Sequence, residues 1–380
     1  MKKKFIAMLV ASLMLVGVFA FVGCDKKAEA DFVVDVFVYA DSDEYGFDLS
    51  RTIEGMIKTE YKDISVEVNH HDANWDGATQ TRQIDDALTR GTDLLVVALQ
   101  EYTSAESVAK KAKDNGINVI FFVREPYDNA SFNGLTGNDN AIFVGLENED
   151  GGNQQGEQIF EALTSEGSQY KVQDGTEENP TYVNYLMFRG NVGNPAADAR
   201  SANSVAKANQ LLADRNIVLQ KYDTDSEVDV AWFDGAVKEW LADKTDYEYA
   251  SATSGNDGKV NLIIGNSDAL TIGAIDTLAD KGVNTGDSNQ KTSIPMFGFD
   301  ASKFGKEYIK NGRMTATLIG EYDYFASTVL QVVKNSKDGL IGQALASTGM
   351  SDLSTALGKK IDVKAAEHIV NVFYDKYVQA

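Results

Sequence analysis

The feature that most constrains this chain is a repeating alternation. Short, apolar, β-rich runs take turns with stretches of helical period from Asp31 to about Val333, the signature of an α/β fold with parallel sheets. Val33 to Tyr39 reads as a strand, after which Leu49, Ile53, Met56 and Ile57 fall on one helical face. A second helix carries Ile84, Ala87 and Leu88, stops at Gly91 and feeds the strand Leu94-Leu95-Val96-Val97. A third opens with Thr103 and Glu106 at capping-box spacing, stops at Gly116 and feeds Val119 to Phe122.

The same grammar restarts after Phe143-Val144-Gly145, with strands predicted over 182–188, 217–219, 262–264, 295–299 and 314–318 and helices between them, one of them over 230–241. Two similar sheets in series imply two lobes, too much chain for one comfortable core. The helix Tyr322 to Lys334 has room to return to the first lobe. That lobe is therefore drawn as residues 31–145 and 320–345, and the second as 146–319 with the tail 361–380. With four prolines in the chain and no Gly/Ser-rich linker, several short crossings are expected in place of a tether.

Ahead of the lobes, Met1 to Gly23 joins Lys2, Lys3 and Lys4 to an uncharged apolar run from Phe5 to Val22, the pattern of an export signal. Length alone also suits an uncleaved membrane helix. Cys24, the single cysteine, sits where that run meets Asp25-Lys26-Lys27. Phe21-Val22-Gly23-Cys24 resembles a bacterial lipoprotein processing site, with Phe21 where Leu is usual. It implies a signal peptide over 1–23, acylation of Cys24, and a tether over 24–30, placing the protein outside the cytoplasm on a membrane. One cysteine excludes a disulfide within the chain.

Removing residues 1–23 takes away three positive charges and no negative ones, so the formal charge moves from -22 to -25. Such a surface repels phosphate backbones, which disfavours nucleic acid as a partner.

In open parallel sheets, ligands bind beyond the carboxyl ends of the strands. Here those loops read Asp41 to Tyr45, Val123-Arg124-Glu125-Pro126, Asn191 to Pro195, Asn266-Ser267-Asp268, Asp300 and Gly320-Glu321. They are dense in carboxylates and amides, the groups that pair with hydroxyls.

Gln83 to Leu99, Phe121 to Pro126, Gly190 to Arg200, Gly265 to Ala269 and Ile294 to Ala301, in that order and spacing, resemble the galactose/glucose-binding proteins of bacterial ABC transporters. The resemblance implies two Rossmann-like lobes joined by three hinge strands, a periplasmic binding protein of type I. It implies a monomer that closes on a monosaccharide and hands it to a membrane permease. Arg200 and Asp300 match the family's ligand-contacting Arg and Asp, and Asp43 or Glu44 matches a third acid. Tyr45, Arg124 and Glu321 flank matched positions and join the expected ligand set. Val123, Asn194, Ala196, Ser267 and Gly320 depart from the polar residues expected there, and Trp232 stands near the family's stacking Trp. A hydroxyl left unpaired costs roughly 1–3 kcal/mol, so galactose or glucose should bind poorly unless other groups compensate. The family's calcium loop is replaced by Asp174 to Asn179, and its distal Glu corresponds to Asn261. No cofactor is therefore expected, with a remodelled calcium site as the alternative.

Plainer roles stand beside each of these. Asp300 would equally suit the cap of a helix starting near Ser302, Arg200 could pair with Asp198 or Asp214, and Trp232 could be core. Tyr322, Tyr324 and Phe325 read as helix packing. His70 and His71, expected in a loop after a strand over 64–68, would point to opposite faces if extended and so make poor joint metal ligands. No nucleophile elbow, phosphate-cradling loop or dinucleotide fingerprint follows the first strand, which disfavours an enzyme. A sensory subunit serving a chemoreceptor or membrane kinase would share every feature above.

Overall fold

Strands covered on both faces need apolar side chains on both, which is why the runs read as continuous instead of alternating. The computed structural model describes residues 30–126, 135, 137–251, 257–358 and 360–377. The expected signal peptide, Cys24 and all but the last residue of the tether lie outside the described residues. Among the described residues, no helix is long and apolar enough to cross a membrane.

The first lobe is built on β1 (Phe32–Val38), β2 (Val66–Asp72), β3 (Leu94–Val97), β4 (Asn118–Phe122) and β5 (Ala141–Leu146). Its sheet has the order β12-β13-β5-β4-β3-β1-β2, where β12 (Ile361–Lys364) and β13 (Ile369–Val372) come from the tail. On one face, Val34, Val36 and Ile120 pack under α1 (Glu44–Glu60) through Leu49, Ile53 and Ile57. On the other, Phe37, Leu95 and Phe121 pack under α2 (Gly77–Arg90) and α3 (Ala105–Asp114).

The second lobe has a parallel sheet of β10 (Met296–Phe297), β9 (Leu262–Gly265), β6 (Thr181–Gly190) and β7 (Ile217–Lys221), with β8 (Glu227–Asp229) also pairing β6. It lies between α4 (Asn148–Thr164) and α5 (Pro195–Leu212) on one side and α6 (Asp234–Ala242) and α7 (Asp268–Ala279) on the other. A further helix, α8 (Lys303–Lys310), packs against α7.

The chain crosses between lobes three times. It leaves the first through β5 into α4, and returns through β11 (Leu318–Ile319) into α9 (Tyr322–Lys337), whose Phe325, Val329 and Val332 join the first lobe's core. Two short helices, α10 (Gly342–Ser347) and α11 (Met350–Ala356), follow there. The third crossing runs from β13 to β14 (Asp375–Lys376), which pairs antiparallel with β11.

The tail corrects the assignment of 361–380 to the second lobe. β13 lies parallel to β5, Val370 opposite Val144, and β12 closes the edge in antiparallel fashion. All four residues of β13 are buried, and without them β5 would be an open edge. Only the segment after Val372 reaches the second lobe.

His70 and His71 also differ from expectation, since both lie in β2. His70 sits between two carboxylates, Nδ1 at 2.6 Å from Glu54 and Nε2 at 2.7 Å from Asp41, so a proton on each nitrogen satisfies both, and these bonds raise its pKa against the opposing effect of burial. His71 faces Asp35 and stacks on Phe37. The helix expected over 230–241 begins at Asp234 because the Val230 N–H still bonds the Gly190 carbonyl beside β6.

Candidate ligand-binding cleft

Between the lobes lies a cavity of about 640 Å³. The first lobe lines it with the loop that enters α1. Asp43 caps that helix, its Oδ2 accepting from the Gly46 N–H at 2.8 Å and from the Tyr39 hydroxyl at 2.5 Å. Ser42, Glu44 and Tyr45 follow along the wall. Ser42 also accepts from the Trp75 indole at 2.8 Å, which anchors the half-exposed ring at the mouth.

Val123 follows β4 with φ +63°. The Arg124 N–H turns back to the Phe122 carbonyl at 2.7 Å, a strained three-residue turn for a β-branched side chain. That turn delivers Arg124 into the cavity. Its guanidinium lies 3.9 Å above the Tyr39 ring and 5.2 Å from Tyr102, while Nη1 donates to the Leu99 and Gln100 carbonyls.

The second lobe supplies helix starts. Asn194 caps α5, its side-chain oxygen accepting from Ala196 and Ala197 N–H, while among the described residues its amide NH₂ makes no hydrogen bond. Arg200, nearly two turns on, is 7% exposed. α5 is seated tightly against α4, since a Cβ on Gly152 would meet the Arg200 carbonyl at 2.7 Å. This contact fixes the depth of the guanidinium, which lies 4.8 Å from the Phe299 ring and 5.5 Å from Trp232. Trp232 itself rests on Gly190 at φ +95°, where a Cβ would stand 2.5 Å from the indole. Ser267 caps α7.

The plainer roles for Arg200 and Asp300 do not describe this structure. Asp198 pairs with Arg189, and among the described residues Arg200 makes no ion pair. Its Nη1 donates to the Tyr374 hydroxyl at 3.4 Å, and its buried Nε has no partner. The helix after Asp300 is capped by Ser302, whose Oγ accepts from Gly305 N–H. With φ +94°, Asp300 instead turns at the cavity wall, and among the described residues no donor reaches its carboxylate. Burial pushes its pKa up to about 7; Arg200 opposes this, while Asp268, Asp43 and Glu44 add to it. The buried Asp268 is likewise raised to about 7 by burial, against hydrogen bonds from Thr317 and Ser302.

Of the residues singled out from sequence, Asp43, Glu44, Tyr45, Val123, Arg124, Asn194, Arg200, Trp232, Ser267 and Asp300 all line the cavity. Glu321 does not. It holds the cap position of α9, its carbonyl accepting from Phe325 N–H, and the residue that reaches the cavity from this crossing is Tyr322, 5.2 Å from the Tyr45 ring. The sequence suggests only helix packing for Tyr322, and nothing in it marks Tyr39, Trp75, Tyr102 or Tyr374, which also line the cavity. Tyr374 lies on the third crossing, 5.5 Å from Phe299, with its hydroxyl 3.3 Å from Asn148 on the first.

The three crossings, β5 to α4, β11 to α9 and β13 to β14, thus lie beside a cavity that both lobes line. The periplasmic binding protein domain family matches residues 35–340. The chain belongs to that family. This periplasmic binding protein is 24% identical over 262 residues to the D-galactose/methyl-galactoside binding periplasmic protein of Haemophilus influenzae, covering 68% of this chain and 69% of the relative. It is 23% identical over 296 residues to the D-xylose-binding periplasmic protein of Escherichia coli, covering 77% and 75%. Among solved structures, a solute-binding protein of an ABC transporter from Clostridium phytofermentans with bound β-D-glucose shares the fold, with TM-score 0.60, 19% identity and coverage of 80% of this chain and 83% of that one.

The residues standing in place of the calcium loop are engaged otherwise. Asp174 pairs with Arg215 at 3.0 Å, Thr176 and Asn179 close a turn on each other, and Asn261 bonds Asn184 N–H, Ala250 and Asp257. Calcium wants six or more oxygens. Among the described residues no three His, Cys, Asp or Glu side chains are grouped to hold a metal.

Proposed function

We propose that this periplasmic binding protein is an exported receptor, anchored through acylated Cys24, that closes on one uncharged sugar or polyol and presents it to an ABC permease. One observation carries the ligand class. Among the described residues the buried Arg200 Nε and Tyr45 hydroxyl have no partner, and both residues line the cavity together with Asp300, whose carboxyl group no donor reaches. A hydroxylated ring supplies both acceptors and donors to such a set, and a forked donor beside a two-oxygen acceptor suits adjacent hydroxyls. The aromatic rings of Trp232, Tyr45 and Tyr322 offer faces for the apolar side of a sugar ring. Asp43, Glu44 and Asp268 all raise the pKa of Asp300, a negative field that disfavours sugar acids and phosphates. The galactose- and xylose-binding relatives and the glucose-bound structure support the same class.

Closure follows from differential contact. Polar groups of both lobes meet the ligand only when the hinge is shut, so the ligand selects the shut form. The test is thermal unfolding of residues 25–380 against sugars, polyols, sugar acids, nucleosides and amino acids. A true ligand at 100 times its Kd adds about 2.7 kcal/mol. Shifts confined to amino acids or nucleosides would overturn the sugar assignment, and scattering that shows no compaction with a saturating sugar would overturn the closure.

A further inference from the structure

The cavity does not end at the ring-sized chamber around Arg200 and Asp300. It continues over the second lobe alone, along the surface of α7, and there it is lined by Phe233, Ile272, Phe304 and Tyr308 with Asp234 and Asp276. Two close approaches build this stretch. A Cβ on Gly273 would stand 2.5 Å from the Asp234 carbonyl, which seats the start of α6 on α7. A Cβ on Gly305 would stand 2.0 Å from Asp268 Oδ2, which seats α8 on the start of α7 from the other neighbour. The aromatic residue at each of these helix starts is left in the open: Phe233 is 54% exposed and Phe304 is 56% exposed.

Large exposed apolar side chains gathered in a concave, partly polar surface mark a binding site. The polar groups here are fixed before any ligand arrives. The Tyr308 hydroxyl donates to Asp276 at 2.7 Å, Arg313 pairs with the same carboxylate at 2.9 Å, and Lys238 holds Asp234 at 2.6 Å. All of these residues belong to one lobe, so the hinge angle neither creates nor removes this extension. Its volume adds to the chamber's, and the total of about 640 Å³ falls in the range of pockets that enclose drug-sized ligands, roughly 300–1,000 Å³.

Resting on the carbohydrate reading of the chamber, we infer that the extension is an outer subsite for a second sugar ring, so that the preferred ligand is a disaccharide. The inner ring would meet Arg200 and Asp300. The outer ring would lay its apolar face on Phe233 or Phe304 and its hydroxyls toward Asp234 and Asp276.

The test is calorimetric titration of residues 25–380 with glucose, galactose and xylose, and with maltose, cellobiose, lactose, melibiose and xylobiose. At least one disaccharide is expected to bind tenfold or more tightly than either of its component sugars. Phe233→Ala with Phe304→Ala should erase that advantage while leaving the monosaccharide Kd within about twofold. Phe304→Trp should keep it. Equal or tighter binding of a monosaccharide than of every disaccharide would overturn the subsite, as would an equal loss for both ligand sizes in the double variant. Heat that appears with no sugar of either size would overturn the carbohydrate reading along with the subsite, and the silent monosaccharides distinguish that failure from a failure of the outer ring alone.

Discussion

The two lobes each send an arginine into the cleft, and the two are held in opposite ways. Arg124, from the first lobe, is already occupied: two backbone carbonyls accept from it and the Tyr39 ring lies beneath it. Arg200, from the second, is more deeply placed yet keeps an unpartnered Nε. The carboxylates divide likewise. Asp43 caps α1 and accepts from Tyr39, while among the described residues Asp300 has no donor. Arg124 and Asp43 of the first lobe's wall are thus satisfied, with the Tyr45 hydroxyl left unpartnered beside them, whereas among the described residues Arg200 and Asp300 of the second both keep unpaired polar atoms. Because a buried polar group without a partner costs about 1–3 kcal/mol, a sugar bound as proposed would draw most of its affinity from the second lobe and most of its fit from the first.

The largest effect expected from this difference is on binding. Arg200→Ala or Asp300→Ala should weaken the best sugar ligand by about 100-fold or more, since a site built to bond hydroxyls loses heavily when one side of the pairing is removed. Titration of the purified variants measures it. A variant that binds normally would remove its residue from the site.

Arg124→Ala should reverse the balance. It releases two carbonyls and a stacked ring, so apo stability should fall by about 2 kcal/mol, read from denaturant unfolding, with a smaller change in Kd. Were Arg124→Ala to leave stability untouched and abolish binding, the satisfied wall would be the recognition surface and the contrast would fail.

A smaller effect lies in pH. Asp300 is raised to about 7, so the folded state holds its proton more tightly than the unfolded chain does. Its contribution to stability is therefore present below about pH 4 and is lost as pH rises toward 7. Asp300→Asn should stabilise the apo protein by about 1–2 kcal/mol at pH 8 and scarcely at pH 4, measured by unfolding at both. No difference between the two pH values would show that the carboxylate is ordinary.

The legible parts of this molecule were those where one physical pattern had one reading. Leu94 to Val97 is apolar at every position because both faces are covered, and all four residues are buried. The position of Arg200 and Asp300 at the cavity was legible from the motifs around them. Only the first part of β2 was, where Val66 and Val68 alternate with polar residues; from Asn69 to Asp72 the strand is half-buried at a sheet edge, so neither alternation nor an apolar run marked His70 and His71 as extended. The tail failed for another reason: Ile369 to Val372 would suit the edge of either sheet, and periodicity carries no information on which neighbour a strand chooses. Tyr374 was lost with it, since its value depends on the third crossing. Tyr39 and Trp75 escape notice because what brings them to the cavity, a guanidinium stacked on one ring and an indole bonded to Ser42, depends on residues distant in sequence.

Val123 offers the finest probe of the contrast. It lines the cavity from the satisfied lobe, yet its positive φ is a conformation that β-branched side chains rarely adopt, and strain of this kind costs of order 1–3 kcal/mol. Asparagine tolerates that conformation and brings an amide that can donate to or accept from a hydroxyl. Val123→Asn should therefore raise apo stability by about 1 kcal/mol and tighten sugar binding in the same protein, two gains that usually oppose each other at a binding site. Calorimetry and unfolding on one preparation decide it. A stabilised variant with unchanged affinity would mean that the first lobe shapes the cleft without touching the ligand at this turn. A destabilised one would mean that the isopropyl group, packed against the first lobe's core, outweighs the strain it imposes.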